Sequence, residues 1–324
     1  MDMFDQLFSL LGASIRMATP LIFAAMAGIY SERSGIVDIG LEGKMLFGAF
    51  AAAVVSFETG NPFFGLLGGI AICILLSLMH GFASVKMRGD QVISGLAVNF
   101  LASGLTVTLG HAWYSQGGLT PALTNAQRFT GITLPGAEWL GENIPVIGPL
   151  YEQVISGHNI LVYVAFGVVA LTYWVLFNTR FGLRLRATGE EPNAVDSAGI
   201  SVAWVRYRAV IIAGVLCGFA GTYLSIAQNA AFQREMTSGR GYIALAAVIF
   251  GKWHPRGALA ACLLFGFLQA LETRVQNVEI PMIGELPSQL FSAIPYIITV
   301  VLLAGFIGKA IAPKAVGVPY VKER

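Results

Sequence analysis

Asp38, Glu42 and Lys44 stand close together in DIGLEGK, in a chain whose surrounding segments are apolar. Asp38 and Glu42 are four residues apart, so a helix through them would set both carboxylates on one face. Charge at membrane depth is costly and marks either a path for ions and polar solutes or a buried pair. Two readings stay open. The carboxylates line such a path, or the segment is the mouth of a helix with Glu42 paired to Lys44 or Arg33. Asn99 lies in the middle of VISGLAVNFLASGL. An amide there bonds a neighbouring helix or a polar solute. The same choice applies to Gln228, Asn229 and Gln269.

Other chemistries lack their residues. His80, His111, His158 and His254 are scattered and none pairs at ligand spacing, so no metal site is expected. The chain shows neither a Ser-His-Asp arrangement nor a Gly-x-Ser-x-Gly elbow. Cys73, Cys217 and Cys262 lie in apolar runs and read as small buried hydrophobes. A phosphate-cradling loop needs Ser or Thr after its Gly-Lys. Gly43-Lys44, Gly251-Lys252 and Gly308-Lys309 are followed by Met45, Trp253 and Ala310. Any ATP hydrolysis coupled to this chain is expected on a separate polypeptide, and the chain is not expected to be an enzyme.

The elements that must hold these residues are membrane helices. Hydrophobic residues make up 56% and charged residues 12% of the 324 residues. Runs without Asp, Glu, Lys or Arg extend over Asn61–Val85, Asn159–Thr179, Ala209–Gln233 and Leu286–Gly308. Shorter ones cover Met17–Ser31, Met45–Phe57, Gln91–Gly110 and Gly257–Leu271. About 20 apolar residues cross a bilayer as a helix. In hydrocarbon the backbone must satisfy itself, which favours helices. The expected fold is an all-α polytopic membrane protein with about 8–10 spans, some short or broken, as one domain over 1–324. Gly65 with Gly69, and Gly214 with Gly218, form GxxxG pairs suited to close helix contact.

The net charge of +2 says little, but its distribution is informative. With 180–208 on the inside, alternation puts Arg33, Lys86, Arg88, Lys252, Arg256, Lys309, Lys314, Lys322 and Arg324 there as well. Arg16, Arg128, Arg234, Arg240 and Arg274 are left outside. This asymmetry follows the positive-inside rule and gives nine crossings, with the N-terminus outside and the C-terminus cytoplasmic. The start MDMFDQLF carries Asp2 and Asp5 and no basic region, so insertion is expected to rely on the first spans. The connection 113–157 is expected to be an external, ordered cap with interfacial aromatics. Two Gly-rich polar interruptions, Ser31–Phe50 and Ser238–Ala261, precede apolar spans and have the character of broken helices on a transport pathway.

The densest charge lies at 180–208, between two uncharged spans. Glu191 before Pro192 is a good helix start, and Gly199 is placed to end a short helix near residue 198. Ala194, Val195 and Ala198 would offer a small apolar face.

Four segments in order carry a resemblance: ERSGIVDIGLEGKMLFGA, QVISGLAVNFLASGL, RATGEEPNAVDSAGI and GRGYIALAAVIFGKWHPRGALAACLLFG. Together they resemble the permease subunits of bacterial ABC importers of the branched-chain amino acid, simple-sugar and nucleoside superfamily. The likeness runs from about Met17 to Gly308, and GLEGKM with FGKWHPRGA is most similar to the nucleoside branch. That branch typically has Asn where this chain has Asp38.

The resemblance implies the ABC importer permease fold in the bacterial cytoplasmic (inner) membrane. It implies an ABC ATPase subunit carrying ATP and Mg, a second and different permease chain, and an extracytoplasmic solute-binding lipoprotein. No cofactor is implied in this chain, and no nucleic acid. It also implies that a short cytoplasmic coupling helix docks on the ATPase, here built from Gly189, Glu190, Glu191, Asn193, Ala194, Ser197, Ala198, Gly199 and Ile200. The expected function is import of a nucleoside or similar small polar solute. A simple-sugar or branched-chain amino acid permease is the alternative, with an ion-coupled secondary transporter behind it. Nucleosides call for aromatic stacking and for amide or carboxylate hydrogen bonds. Asn99 and Glu42, then Asp38, Phe47 and Phe100, are the pathway candidates.

Overall fold

The computed structural model describes residues 3–144, 147–275, 293, 297, 301 and 310–322. The run expected between Leu286 and Gly308 lies almost wholly outside the described residues, and the count of nine crossings with it. The helices are α1 (Met3–Arg33), α2 (Leu41–Thr59), α3 (Pro62–Gly81), α4 (Gln91–Tyr114), α5 (Ala137–Asn143) and α6 (Ile147–Leu150), then α7 (Ile160–Asn178), α8 (Arg180–Glu190), α9 (Pro192–Ser197), α10 (Val202–Thr222), α11 (Arg240–Phe250) and α12 (Pro255–Val275). π-Turns carry α3 on to Lys86 and α10 on to Gln228. Among the described residues, five helices are long and apolar enough to cross a membrane: Phe4–Arg33, Pro62–Lys86, Gln91–Tyr114, Ile160–Asn178 and Val202–Gln228.

Local chemistry sets the helix starts. The side chains of Asn61, Asp90, Asn159, Thr179 and Ser201 each accept a backbone N–H at the start of α3, α4, α7, α8 and α10. Burial then sorts the helices. The apolar window of α10 is 78% buried and that of α1 56%, against 28% for the α3 span and 22% for α4. So α1 and α10 are the core, with α2 beside them. Phe63, Leu67 and Leu75 of α3 and Trp174 of α7 point outward. In hydrocarbon such exposure carries no hydrophobic cost.

Small residues let the core close. A Cβ at Gly218 would lie 2.5 Å from the Ile70 Cα, and one at Gly214 would lie 2.9 Å from the Ile74 Cα. Helices α10 and α3 therefore touch backbone to backbone, as the GxxxG spacing anticipates. Pro20 sits inside α1 and has no N–H, which leaves the Arg16 carbonyl without its intrahelical donor. The hydroxyl of buried Tyr223 donates to that carbonyl at 3.0 Å. The proline is thereby tolerated at membrane depth.

The described residues of the connection 113–157 form short helical pieces and pack on the helix ends. Ser56 donates to the Gln127 carbonyl (2.6 Å), Phe129 N–H to the Ile226 carbonyl (2.9 Å), and the Phe129 ring meets Phe63 edge-on. At the opposite end the described members of the expected basic set gather, while Lys309 and Arg324 lie outside the described residues. Arg33 donates to the Trp253 carbonyl (3.0 Å), Arg256 lies over the Tyr173 ring (4.3 Å) and Lys322 is 3.6 Å from Asp196. Arg274 instead binds the start of α1 through the Gln6 carbonyl and Ser9, and Arg234 donates to the Gly117 carbonyl.

Candidate functional site

Residues 34–40 interrupt the helix between α1 and α2, so Asp38 and Glu42 do not share a helix face. Helical spacing needs a helix, and Asp38 precedes the first turn of α2. The interruption is held from α3 and from α4. Gln91 Oε1 accepts the Val37 N–H (2.7 Å), and the Val37 carbonyl lies 3.0 Å from His80 Nε2. A carbonyl only accepts, so Nε2 carries the proton and Nδ1 accepts from Ser94 Oγ (3.0 Å). Irregular backbone at membrane depth persists only where protein or water satisfies it, and here side chains of α3 and α4 do so.

Asp38 and Lys44 form a fully buried ion pair, with Lys44 Nζ 2.6 Å from one carboxylate oxygen and 2.8 Å from the other. Lys44 is therefore the partner of Asp38 and not of Glu42, one of the two pairings considered for Glu42.

Glu42 does something the spacing did not suggest. Its carboxylate accepts the N–H of Gly239 (2.8 Å) and of Gly241 (2.6 Å). These belong to the N-terminus of α11, which has no side-chain cap of its own. Glu42 is also in the first turn of α2. Two helix N-termini thus converge on one carboxylate, where both dipoles favour negative charge. Only a glycine fits at 241, since a Cβ there would lie 2.6 Å from the Glu42 Cα. The two Gly-rich interruptions meet at this point, and again where the Trp253 indole N–H donates to the Glu32 carboxylate.

Asn99 ties α4 into the same junction. Its Oδ1 accepts the Gly43 N–H (2.8 Å), and its Nδ2 donates to the Ile39 carbonyl (3.1 Å) and to the Tyr242 hydroxyl (2.9 Å). A helix rises 1.5 Å per residue, so Asn99 lies about 12 Å into α4. The 11-residue α11 spans about 16 Å. Both put the junction near the middle of a hydrocarbon core about 30 Å thick.

The junction opens on one face. Tyr242 is 44% exposed, and one turn along α4 from Asn99, Ser103 donates to the exposed carboxylate of Glu235. Asn99, Ser103, Tyr242 and Glu235 form a polar strip beside Phe100, which is 76% exposed. Of the five pathway candidates, Asn99 and Phe100 reach this face. Asp38, Glu42 and Phe47 are buried behind it, with Phe47 packed against Phe50. Ser103, Tyr242 and Glu235 were not singled out from the sequence. The available signal was the SGRGY segment for Tyr242 alone, because hydroxyls and carboxylates in short polar connections are common.

At the basic end, 180–208 is two helices and the first turns of α10. Glu191 is the hinge between α8 and α9, Pro192 opens α9, and Gly199 (φ 79°) follows its end with its N–H on the Asp196 carbonyl (2.9 Å). Glu190, Glu191, Asn193, Ala194, Ser197, Ala198 and Gly199 are exposed, and Ile200 is half-buried. Gly189 is buried and its carbonyl accepts the Ala315 N–H (2.8 Å). Val195 turns inward, away from the face expected of it. Between α8 and α9 runs an open groove of about 540 Å³, walled by Leu183, Ala187, Ala194, Ala198 and Ile200 and edged by Arg180, Arg184, Glu190 and Glu191.

A family model described as the permease component of branched-chain amino acid transport systems matches residues 10–303. The chain is 39% identical over 332 residues to the guanosine ABC transporter permease protein NupQ of Bacillus subtilis (strain 168), with 100% of each covered. It is 41% identical over 314 residues to the nucleoside ABC transporter permease protein NupC of Lactococcus lactis subsp. cremoris (strain MG1363), with 95% of each covered. A solved ABC transporter in an inward-facing conformation superposes with a TM-score of 0.51 at 15% identity, covering 92% of this chain and 84% of that one.

Proposed function

The chain belongs to the permease-component family of branched-chain amino acid transport systems, and on that premise we propose that it forms one wall of a nucleoside path. The path belongs to an ATP-driven importer of the bacterial cytoplasmic membrane. The carrying observation is the polar strip. An amide, two hydroxyls and a carboxylate stand on an open face near the mid-depth of a membrane protein. Lipid cannot solvate such groups, so this face borders water and a partner chain. A second, different permease subunit supplies the opposite wall.

The chemistry of the strip suits an uncharged polar solute. Where helix N-termini meet at mid-membrane, they commonly receive an anionic group of the substrate. Here Glu42 already fills that position. An amino acid's carboxylate would meet a protein carboxylate, whereas a nucleoside brings hydroxyls, amides and a stacking ring. Asn99, Ser103 and Tyr242 match the polar groups, and Phe100 and Tyr242 match the base. The same occupancy argues against ion coupling at Asp38 and Glu42, since both carboxylates are already paired.

In this reading the basic end is cytoplasmic, with the N-terminus outside and the C-terminus inside. The ATPase, which carries ATP and Mg, docks on the exposed apolar side of α9 over the α8–α9 groove. An extracytoplasmic binding lipoprotein delivers the solute at the 113–157 cap. The ATPase acts by binding the two conformations of the permease differently. The test is guanosine uptake by vesicles holding the whole complex. ATP-dependent uptake that competes with other nucleosides supports the reading. Uptake without ATP, or ATP-driven uptake of leucine in place of nucleosides, overturns it.

A further inference from the structure

At the basic end lies a second cavity, separate from the α8–α9 groove, of about 340 Å³. Among the described residues, Lys86, Arg88, Arg206 and Lys322 line it against a single carboxylate, Asp196. Its walls come from the α3–α4 turn, the exit of α9, the first residues of α10 and the C-terminal tail at Tyr320. Four cations in a small space repel one another unless an anion joins them.

Arg206 is the most telling of the four. It is 1% exposed, yet among the described residues no carboxylate lies within ion-pair range of it. Among the described residues its guanidinium donates to carbonyls, from Nε to Ser34 at 3.2 Å and from both terminal nitrogens to Val318 at 3.4 Å, with Tyr320 near enough to interact with it. A buried cation held by long bonds to neutral acceptors is under-compensated. The N-terminus of the 21-residue α10 opens on the same cavity through Val202 and Ala203, adding its positive end. Lys322 is 71% exposed and only 3.6 Å from Asp196, so it is free to turn toward another anion.

We propose that this cavity binds a phosphate group, and that the occupant is the phosphodiester of an anionic phospholipid. Phosphate offers several acceptor oxygens to Arg and Lys donors at once. The surroundings point to a lipid. The cavity lies at the end of α3, where the large apolar side chains of Phe82, Met87 and Ile93 near Lys86 are exposed, as suits contact with lipid. Lys86 itself lies over the Phe82 ring, 5.3 Å from its centre, the posture of a cation at a membrane boundary. Basic pockets between helices at the cytoplasmic side suit anionic headgroups. Occupancy would tie the tail to the exit of α9, so lipid composition would set how firmly α9 is held.

The probe is a fluorophore on Val321→Cys in the assembled transporter. Val321 is exposed and the native Cys73, Cys217 and Cys262 are buried. The complex is placed in phosphatidylcholine nanodiscs with and without phosphatidylglycerol, and inorganic phosphate is titrated separately. The expected result is higher anisotropy with phosphatidylglycerol, little change with phosphate, and loss of most of the rise in Lys86→Gln/Arg88→Gln. Lys252→Gln, an exposed cation outside the cavity, should keep the rise. A rise with phosphate alone that the double variant loses would retain the anion site and overturn the lipid assignment. No rise with either anion, an undiminished rise in the double variant, or equal loss in Lys252→Gln would overturn the proposal. The readout needs no transported solute, so its failure is distinct from failure of the nucleoside reading.

Discussion

The side-chain amide of Asn99 donates to the hydroxyl of Tyr242 at 2.9 Å, and this bond links α4 to the first turn of α11 across the open face. The same amide also holds the start of α2 through Gly43 and Ile39. The two contacts separate two roles of one residue. Tyr242→Phe removes a single half-exposed hydrogen bond, worth about 1 kcal/mol. The KM for nucleoside uptake should rise roughly 2- to 10-fold with normal amounts of complex in the membrane. Asn99→Ala also frees the Gly43 N–H and the Ile39 carbonyl, so it should lower the thermal stability of the complex as well. Equal stability in the two variants would contradict this division.

Glu42 caps a helix other than its own. Glu42→Ala leaves the Gly239 and Gly241 N–H groups without their acceptor, at about 1–3 kcal/mol for the buried Gly241 and less for the half-buried Gly239. Glu42→Gln keeps one acceptor oxygen and should lose less. The expected order of stability is wild type, then Gln, then Ala, read as the midpoint of thermal aggregation in detergent. If Glu42 instead served as a mobile proton carrier, Gln and Ala would be equally inactive and equally stable.

Asp38 and Lys44 test a different term. Lys44→Met strands a fully buried carboxylate, which costs about 3–5 kcal/mol. Asp38→Asn with Lys44→Met removes both charges and should recover most of the stability. Recovery of membrane-inserted protein in the double variant, beside its loss in Lys44→Met, is the result to look for. A double variant as poor as the single one would mean that the pair does more than neutralise itself.

The readings that held rest on local chemistry. The apolar runs within the described residues, the GxxxG contacts, the helix start at Glu191-Pro192 and the stop at Gly199 are each decided within a few residues of sequence. The partners in the site are decided by folding. Glu42 meets Gly241, Ser103 meets Glu235, and the Arg16 carbonyl meets Tyr223, all across distant parts of the chain. Nothing local to Glu42 announces an orphaned helix end elsewhere, so its role as a cap was out of reach. Val195 was assigned to the wrong face for a related reason, because which side of so short a helix turns inward depends on its packing against α8 and α10. Asn99 was legible because an amide inside an apolar span has few other roles.

Gly199 holds φ at 79°, which proline's ring forbids. Gly199→Pro should therefore misplace α9 and uncouple transport while leaving the spans inserted. Ala198→Trp on the exposed side of α9 should block docking directly. Both variants are expected to reach the membrane in normal amounts but to lose most ATP-dependent uptake, and Ala198→Trp should no longer co-purify with the ATPase. Full retention of the ATPase by Ala198→Trp would remove α9 from the docking surface.

The most direct test of the path is the chemistry of one hydroxyl position on the open face. Ser103→Cys, in the assembled transporter, is exposed to a membrane-impermeant thiol reagent, with Leu67→Cys on the outward face of α3 as the comparison. The native cysteines are buried and leave the background low. If the strip of Asn99, Ser103, Tyr242 and Glu235 lines an aqueous nucleoside path, Ser103→Cys reacts, guanosine slows the reaction, and Leu67→Cys stays inert. A Ser103→Cys thiol as unreactive as Leu67→Cys, or one whose reaction is indifferent to guanosine, would contradict the account.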